Sequence, residues 1–107
     1  MANTYKNVKV DFSDTDEETV LTTPVGSTNI IKSMLVTEDS NSADTITLTI
    51  TDTASAVFSL FKVKAVGANT TVELLTQPLV LQDSEILKAT AATANRLHLV
   101  VSYLEIS

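Results

Sequence analysis

The sequence predicts an all-β domain, an antiparallel β-sandwich of about eight strands with jelly-roll connections. The first observation is the run 45–51, in which threonine alternates with isoleucine or leucine without a break. The second is that turn residues recur at intervals of about 8–12 residues, the spacing typical of sandwiches and barrels. The third is that the one helical candidate, 89–95, is short, lacks an amphipathic stripe and contains residues that disfavour helices.

The run 45–51 predicts a strand with one buried face. Successive side chains of a β-strand point to opposite faces, so Ile46, Leu48 and Ile50 share a face that needs a core. The other face is expected to lie in water, and the alternative is a flat contact between subunits. The residues of that face are Thr45, Thr47, Thr49 and Thr51.

The remaining strands of the first half follow from alternation and from turn residues. A strand over 4–12 alternates apolar with charged residues, and a short strand over 19–23 stops at Pro24. Residues 30–37 are apolar on both faces, which predicts a central strand with one face covered by a loop or another subunit. We expect 30–37 and 45–51 to pair as a hairpin with a long loop.

The second half contains five further strand candidates. Pro78 cannot donate to a β-ladder, so it belongs at the start of a strand or on an edge. The last candidate runs almost to the carboxyl terminus, and such a strand is expected to be pinned inside a sheet. The candidates are 56–64, 71–75, 79–81, 86–91 and 97–106.

Composition indicates one domain, residues 1–107, with an aliphatic core. The chain has 107 residues, enough for one hydrophobic core and too few for two. Hydrophobic residues make up 44% and aromatic residues only 5%, so the core must consist mainly of Val, Ile, Leu and Ala. The absence of cysteine excludes disulfides and thiolate metal sites.

Charge and hydropathy narrow the class of partner. The net charge is −6, which disfavours nucleic acid because binding to phosphates requires clustered Lys and Arg. The start of the sequence lacks the pattern of a secretion signal, and the apolar runs are too often interrupted to span a membrane. We expect a soluble protein made in a cytoplasm.

No residue pattern indicates catalysis. His98, the only histidine, lies between two leucines, and a general base would need a positioned acid or nucleophile beside it. A structural or interface role is expected for it. Phosphate-binding glycine loops, nucleophile elbows and paired metal-binding histidines are absent from the sequence. We therefore predict no catalytic residue, no metal ligand and no cofactor.

The stretch 13–19 is the most acidic in the chain and is expected to be an exposed loop. Asp14, Asp16, Glu17 and Glu18 carry the hard oxygen ligands that Ca²⁺ prefers, but the glycine and distal glutamate of an EF-hand are missing. A solvated loop is the main interpretation, and a cation at a subunit junction is the alternative.

Exposed aromatic residues would indicate carbohydrate binding, since sugar-binding sandwiches commonly stack sugars on exposed rings. Phe12, Phe58 and Phe61 lie in apolar patterns and are expected in the core. Only Tyr5 and Tyr103 are candidates for exposure, so a carbohydrate-binding module is a distant alternative.

Short strand and turn motifs follow one another in a characteristic order in both halves of the chain. The second half has an apolar strand at 79–81, an acidic turn at 82–85, a strand of small residues at 86–91 and a closing Ser102-Tyr103-Leu104-Glu105 strand. In the first half, Pro24-Val25-Gly26 precedes Ile31-Lys32-Ser33. This order, from about Leu21 onward, resembles small virion structural proteins of tailed bacteriophages.

The resemblance implies a non-enzymatic virion protein of the capsid decoration, or cement, type. Such a protein is a β-sandwich, often a homotrimer, that binds and stabilises the outer surface of the major capsid protein lattice. It would be made in the host cytoplasm and located on the capsid surface, without nucleic acid or membrane partners. The alternative within the same particle is a tail or head-fibre adaptor or a host-binding component.

For such a protein we expect the contacts at the amino-terminal segment, the acidic loop and the 38–44 loop, since a rigid sandwich carries its binding groups on ends and loops. Deletion of residues 2–6 is then expected to release the protein from capsids and leave its fold intact. The predicted partner-binding residues are Ala2, Asn3, Thr4, Tyr5, Lys6, Asp14, Asp16, Glu17, Glu18, Asp39, Asn41 and Asp44.

Overall fold

The computed structural model describes residues 2–107, which form nine β-strands and no helix. Because no helix occurs in this range, none is long and apolar enough to cross a membrane. The strands are β1 (Asn3–Asp11), β2 (Glu18–Thr22), β3 (Thr28–Glu38), β4 (Asp44–Thr51), β5 (Val57–Val66), β6 (Thr71–Glu73), β7 (Leu79–Leu81), β8 (Ile86–Ala91) and β9 (Leu97–Ile106).

The strands form two antiparallel sheets, which confirms the predicted all-β sandwich. Sheet A has the order β1-β9-β3-β6, and β7 pairs with the other end of β3. Sheet B has the order β2-β8-β4-β5. Its two edges are therefore β2 and β5. This order is compatible with jelly-roll connections if β6 and β7 count as one interrupted strand, and the jelly roll itself stays a prediction.

The core lies between the facing sides of the two sheets. On β9, Leu97, Leu99 and Val101 are buried at every second position, and on β4 the same holds for Ile46 and Leu48. β9 lies between β1 and β3, which confirms that the terminal strand is pinned inside a sheet. The predicted aliphatic face of 45–51 is thus the core face of β4.

The predicted hairpin between 30–37 and 45–51 is wrong. β3 lies in sheet A, where it pairs with β9, β6 and β7, whereas β4 lies in sheet B between β8 and β5. Residues between the two strands therefore carry the chain from one sheet to the other. The polar residues of that connection suit a hairpin loop and a crossover equally well, so local sequence could not separate the two.

The expectation that all three phenylalanines lie in the core holds only in part. Phe12 is fully buried and Phe61 is half-buried against the core, but Phe58 is 56% exposed. β5 is an edge strand, and its pairing register with β4 shifts twice between Ile46 and Thr49. Each shift breaks the simple alternation of faces, which is why a period-two pattern misplaced Phe58.

The threonine face of β4 lies on the side of sheet B opposite the core and is only partly exposed. Thr49 is only 9% exposed and stands opposite Lys88 on one side and Ser59 on the other. The other three threonines are half-buried. Neighbouring side chains of sheet B therefore cover much of this face.

Candidate interaction surfaces

The amino-terminal segment is a paired edge strand and not a free arm. Residues Asn3 to Lys6 belong to β1, where they pair with Ile106 to Tyr103 of β9. Ala2 and Ser107 exchange two backbone hydrogen bonds of 2.9 Å. Lys6 Nζ lies 3.1 Å from Glu105 Oε1, and this hydrogen bond raises the pKa of Lys6 above 10.5.

The expectation that deletion of residues 2–6 leaves the fold intact stays a prediction, and the pairing of this segment with β9 argues against it. That deletion would remove half of β1 and expose the end of β9. Single substitutions are the appropriate probe of this segment.

Four apolar side chains form a continuous row across the outer face of sheet A. Tyr5 of β1 stands opposite Leu104 of β9, Leu104 stands opposite Ile30 of β3, and Ile30 stands opposite Val80 of β7. Residues directly opposite each other in a ladder lie on the same face, so the four form one stripe. Tyr5 is 76% and Val80 49% exposed, whereas Leu104 and Ile30 are half-buried. We call these residues the apolar row.

A histidine with two carboxylates lies further along the same face. His98 Nε2 is 3.2 Å from Asp11 Oδ1, and His98 Nδ1 is 3.5 Å from Asp39 Oδ2. All three side chains are exposed. The contacts join β9 to the end of β1 and to the loop after β3, and a structural or interface role for His98 stays a prediction.

The 38–44 loop is organised by the buried carboxylate of Glu38, the last residue of β3. Glu38 is fully buried and accepts hydrogen bonds from the backbone N–H groups of Ser40 (2.9 Å), Ser42 (3.1 Å) and Asn69 (3.1 Å), and from the Ser40 hydroxyl. Burial alone would raise the pKa of Glu38, but these hydrogen bonds outweigh it and lower the pKa from 4.5 to about 2. Glu38 thus ties this loop to the turn before β6.

A local signal for Glu38 was present in the sequence. Serine follows it at the second and fourth positions, and carboxylates readily accept hydrogen bonds from backbone N–H groups two to four residues further on. The contact with Asn69, thirty-one positions away, could only come from the tertiary structure.

The predicted binding residues of this loop separate into two kinds. Asp44 is only 7% exposed, and its Oδ2 accepts a hydrogen bond from the Thr93 backbone N–H at 3.0 Å, so it stabilises the connection after β8. Asp39 and Asn41 are exposed. Asn41 also accepts a hydrogen bond from the Asn69 side chain at 2.9 Å. Asp39 and Asn41 thus lie on the surface, although each already has one partner within the chain, His98 for Asp39 and Asn69 for Asn41.

The acidic loop lies at the edge of sheet B that β2 forms. Asp14, Asp16 and Glu17 are exposed, and Glu18 is the half-buried first residue of β2. Burial, together with the Asp14 and Asp16 carboxylates, raises the pKa of Glu18 above 4.5. Glu17 Oε1 lies 3.8 Å from Lys88 Nζ. Within residues 2–107 no three His, Cys, Asp or Glu side chains are grouped so as to hold a metal ion.

The candidates for a sugar platform are reduced to one tyrosine. Tyr103 lies on the core face of β9 and is only 8% exposed, so it cannot stack a sugar. Tyr5 remains exposed, but its ring belongs to the apolar row. The part of the chain that the structure describes also forms no pocket.

Comparison with known proteins identifies no family for this chain. Neither a protein-family model nor a curated protein sequence matches the chain. A chain of the cyanophage Pam1 capsid asymmetric unit is similar at a TM-score of 0.44 and 19% identity, over 95% of this chain and 84% of that chain. A likeness of this size supports no conclusion about function.

Proposed function

We propose that this chain is a non-enzymatic virion structural protein of a tailed bacteriophage, of the capsid decoration type. In this role it binds the outer surface of the major capsid protein lattice and stabilises it. The observation that carries the proposal is the apolar row on the outer face of sheet A, which offers exposed apolar side chains that a partner protein can bury.

The dimensions and chemistry of the apolar row suit a broad protein partner. Neighbouring strands lie about 4.8 Å apart, so a row across four strands is about 14 Å wide. Its most exposed member is Tyr5, and tyrosine is a common anchor of protein interfaces because it buries a large ring and keeps its hydroxyl in contact with water. Serine and asparagine flank the row at Ser102, Ser33 and Asn7, as expected for the polar rim of an interface.

The order of motifs in the sequence supports the same role. It resembles small virion proteins that bind capsid lattices, often as homotrimers on the outside of the particle. The net charge of −6 agrees with a protein partner in place of nucleic acid. In this proposal the protein is a homotrimer located on the virion surface.

Binding to empty capsids tests the surface. We expect Tyr5→Ala to weaken co-sedimentation with capsids by about tenfold or more, the effect of losing an interface anchor. Val25→Ala is the matched control, because Val25 is 85% exposed but lies in a turn outside sheet A. Unchanged binding of Tyr5→Ala and Val80→Ala would show that the apolar row is not the docking surface.

Copy number distinguishes a capsid decoration protein from a tail or head-fibre component of the same particle. A decoration protein is present in particles at a level comparable to that of the major capsid protein, whereas a tail or head-fibre component is present in a few copies. Quantitative mass spectrometry of particles from the encoding genome measures this ratio. A few copies per particle, or no binding of the wild-type protein to capsids, would overturn the proposed function.

A further inference from the structure

β5 carries two lysines and no acidic residue. The sequence from Thr53 to Val72 contains Lys62 and Lys64 and no acidic residue, although the chain as a whole has a net charge of −6. Both lysines lie on β5 and both are exposed. β5 is therefore a local basic surface on an acidic protein.

The same strand exposes more apolar surface than a free edge should. Val57 is 61%, Phe58 56% and Val63 59% exposed. Within the described chain β5 pairs only with β4, so its other side presents unpaired backbone groups. Exposed apolar side chains on an open edge strand mark either a contact with another protein or a hazard of aggregation.

The backbone of β5 is distorted at the centre of this surface. Val63 has a φ of 53°, a conformation that β-branched residues rarely adopt. Its N–H donates a hydrogen bond to the Thr47 hydroxyl at 3.0 Å, because Lys62 and Val63 together stand opposite Thr47 in a bulge. Such a bulge interrupts the regular ladder and re-aims side chains, so β5 is suited to contacts through its side chains.

The opposite edge of sheet B carries the complementary charge. β2 forms that edge, and the exposed acidic loop directly precedes it. Four carboxylates lie within five residues there, those of Asp14, Asp16, Glu17 and Glu18, and burial together with Asp14 and Asp16 raises the pKa of Glu18. Cations from a partner would relieve this repulsion.

We propose that β5 of one copy docks against the acidic loop, residues 13–18, of a second copy of this chain. The basic and acidic surfaces lie on opposite edges of the same sheet, so the contact is head-to-tail. Each copy keeps one free surface of each kind, and repetition of the contact closes into a ring or continues as a chain. The apolar side chains of β5 are buried in the same contact. This inference does not depend on the phage role.

Charge reversal on β5 tests the contact. The mass of the protein in solution, measured by light scattering after size exclusion, should be that of an oligomer for the wild type and of a monomer for K62E/K64E. The matched control K9E/K32E has the same net charge, changes two exposed lysines of sheet A, and should remain an oligomer. Circular dichroism confirms that each variant is folded.

Reciprocal charge reversal identifies the partner surface. D14K/D16K should be monomeric alone, because the two added positive charges offset those of Glu17 and Glu18, and a neutral loop no longer attracts the lysines of β5. An equimolar mixture of D14K/D16K with K62E/K64E places the unchanged acidic loop of one variant against the unchanged β5 of the other. It also places the two introduced lysines against the two introduced glutamates, so the mixture should assemble. Raising the salt concentration should weaken assembly of the wild type by screening the charges.

Three results would overturn the head-to-tail contact: a monomeric wild type at all concentrations, an unchanged oligomer for K62E/K64E, or no assembly of the mixture. If the wild type is monomeric and K62E/K64E nevertheless loses capsid binding, β5 serves another protein. Capsid binding that depends on Tyr5 but not on Lys62 or Lys64 would leave the proposed function standing while this contact fails.

Discussion

Replacement of Val63 by glycine should cost far less stability than the same replacement at Val57. Val63 has a φ of 53°, whereas Val57 is a β5 residue with ordinary backbone geometry. The two valines are almost equally exposed, at 59% and 61%. Loss of the side chain and the extra flexibility of glycine in the unfolded chain should therefore cost similar amounts at both positions, and these costs cancel in the comparison.

The remaining difference is the backbone strain that glycine removes at Val63. A non-glycine residue held in a sparsely populated conformation costs about 1–3 kcal/mol. We expect Val57→Gly to lower the free energy of unfolding by about 1–2 kcal/mol, from lost packing and added chain entropy. Val63→Gly should then lie between about 1 kcal/mol less stable and about 2 kcal/mol more stable than the wild type.

Urea unfolding followed by circular dichroism measures both variants, at high salt so that contacts between copies are screened. For a domain of this size each 1 kcal/mol corresponds to roughly 4 °C in Tm, so thermal melts provide a second measurement. If Val63→Gly loses as much stability as Val57→Gly, with equal m values, the strain assigned to Val63 is absent.

Two further predictions concern stability. The pKa of Glu38 is lowered from 4.5 to about 2, so Glu38 stabilises the fold fully above pH 4.5 and progressively less as the pH falls toward 2. The urea midpoint of the wild type should therefore fall more steeply than that of Glu38→Gln between pH 5 and pH 2, and parallel curves would contradict the role of Glu38. In the core, Leu99→Ala should cost about 2–5 kcal/mol because Leu99 is fully buried on β9. Leu35→Ala is its control, since Leu35 is 39% exposed and should cost much less, and equal losses would mean that the two faces of sheet A are misassigned.

The sequence alone was sufficient to predict the strands and the buried face of the clearest ones. Alternation in 45–51 correctly placed Ile46 and Leu48 in the core, and the apolar run 97–106 correctly indicated a strand pinned in a sheet. These predictions hold because the period of two is a local property of an extended backbone and needs no knowledge of its neighbours. They are most reliable where strands are long and regular.

The candidate surfaces depended on which strands became neighbours. The apolar row joins one residue from each of four strands, and Tyr5 and Val80 are 75 positions apart in the sequence. The hydrogen bonding of the buried Glu38 carboxylate likewise depends on the Asn69 N–H, which lies in another loop. No local pattern could place these groups together, because strand order is set by how the whole core packs.

The sequence by itself determined the class of this protein: an acidic, cysteine-free, all-β chain with an aliphatic core. The tertiary structure decided that β3 and β4 lie in different sheets, that β5 is a bulged edge with Phe58 exposed, and that opposite edges of sheet B carry opposite charge. The physical reason is the range of the interactions. Side-chain alternation and turn residues act over a few positions, whereas strand pairing, edges and surfaces follow from contacts between residues far apart in the chain.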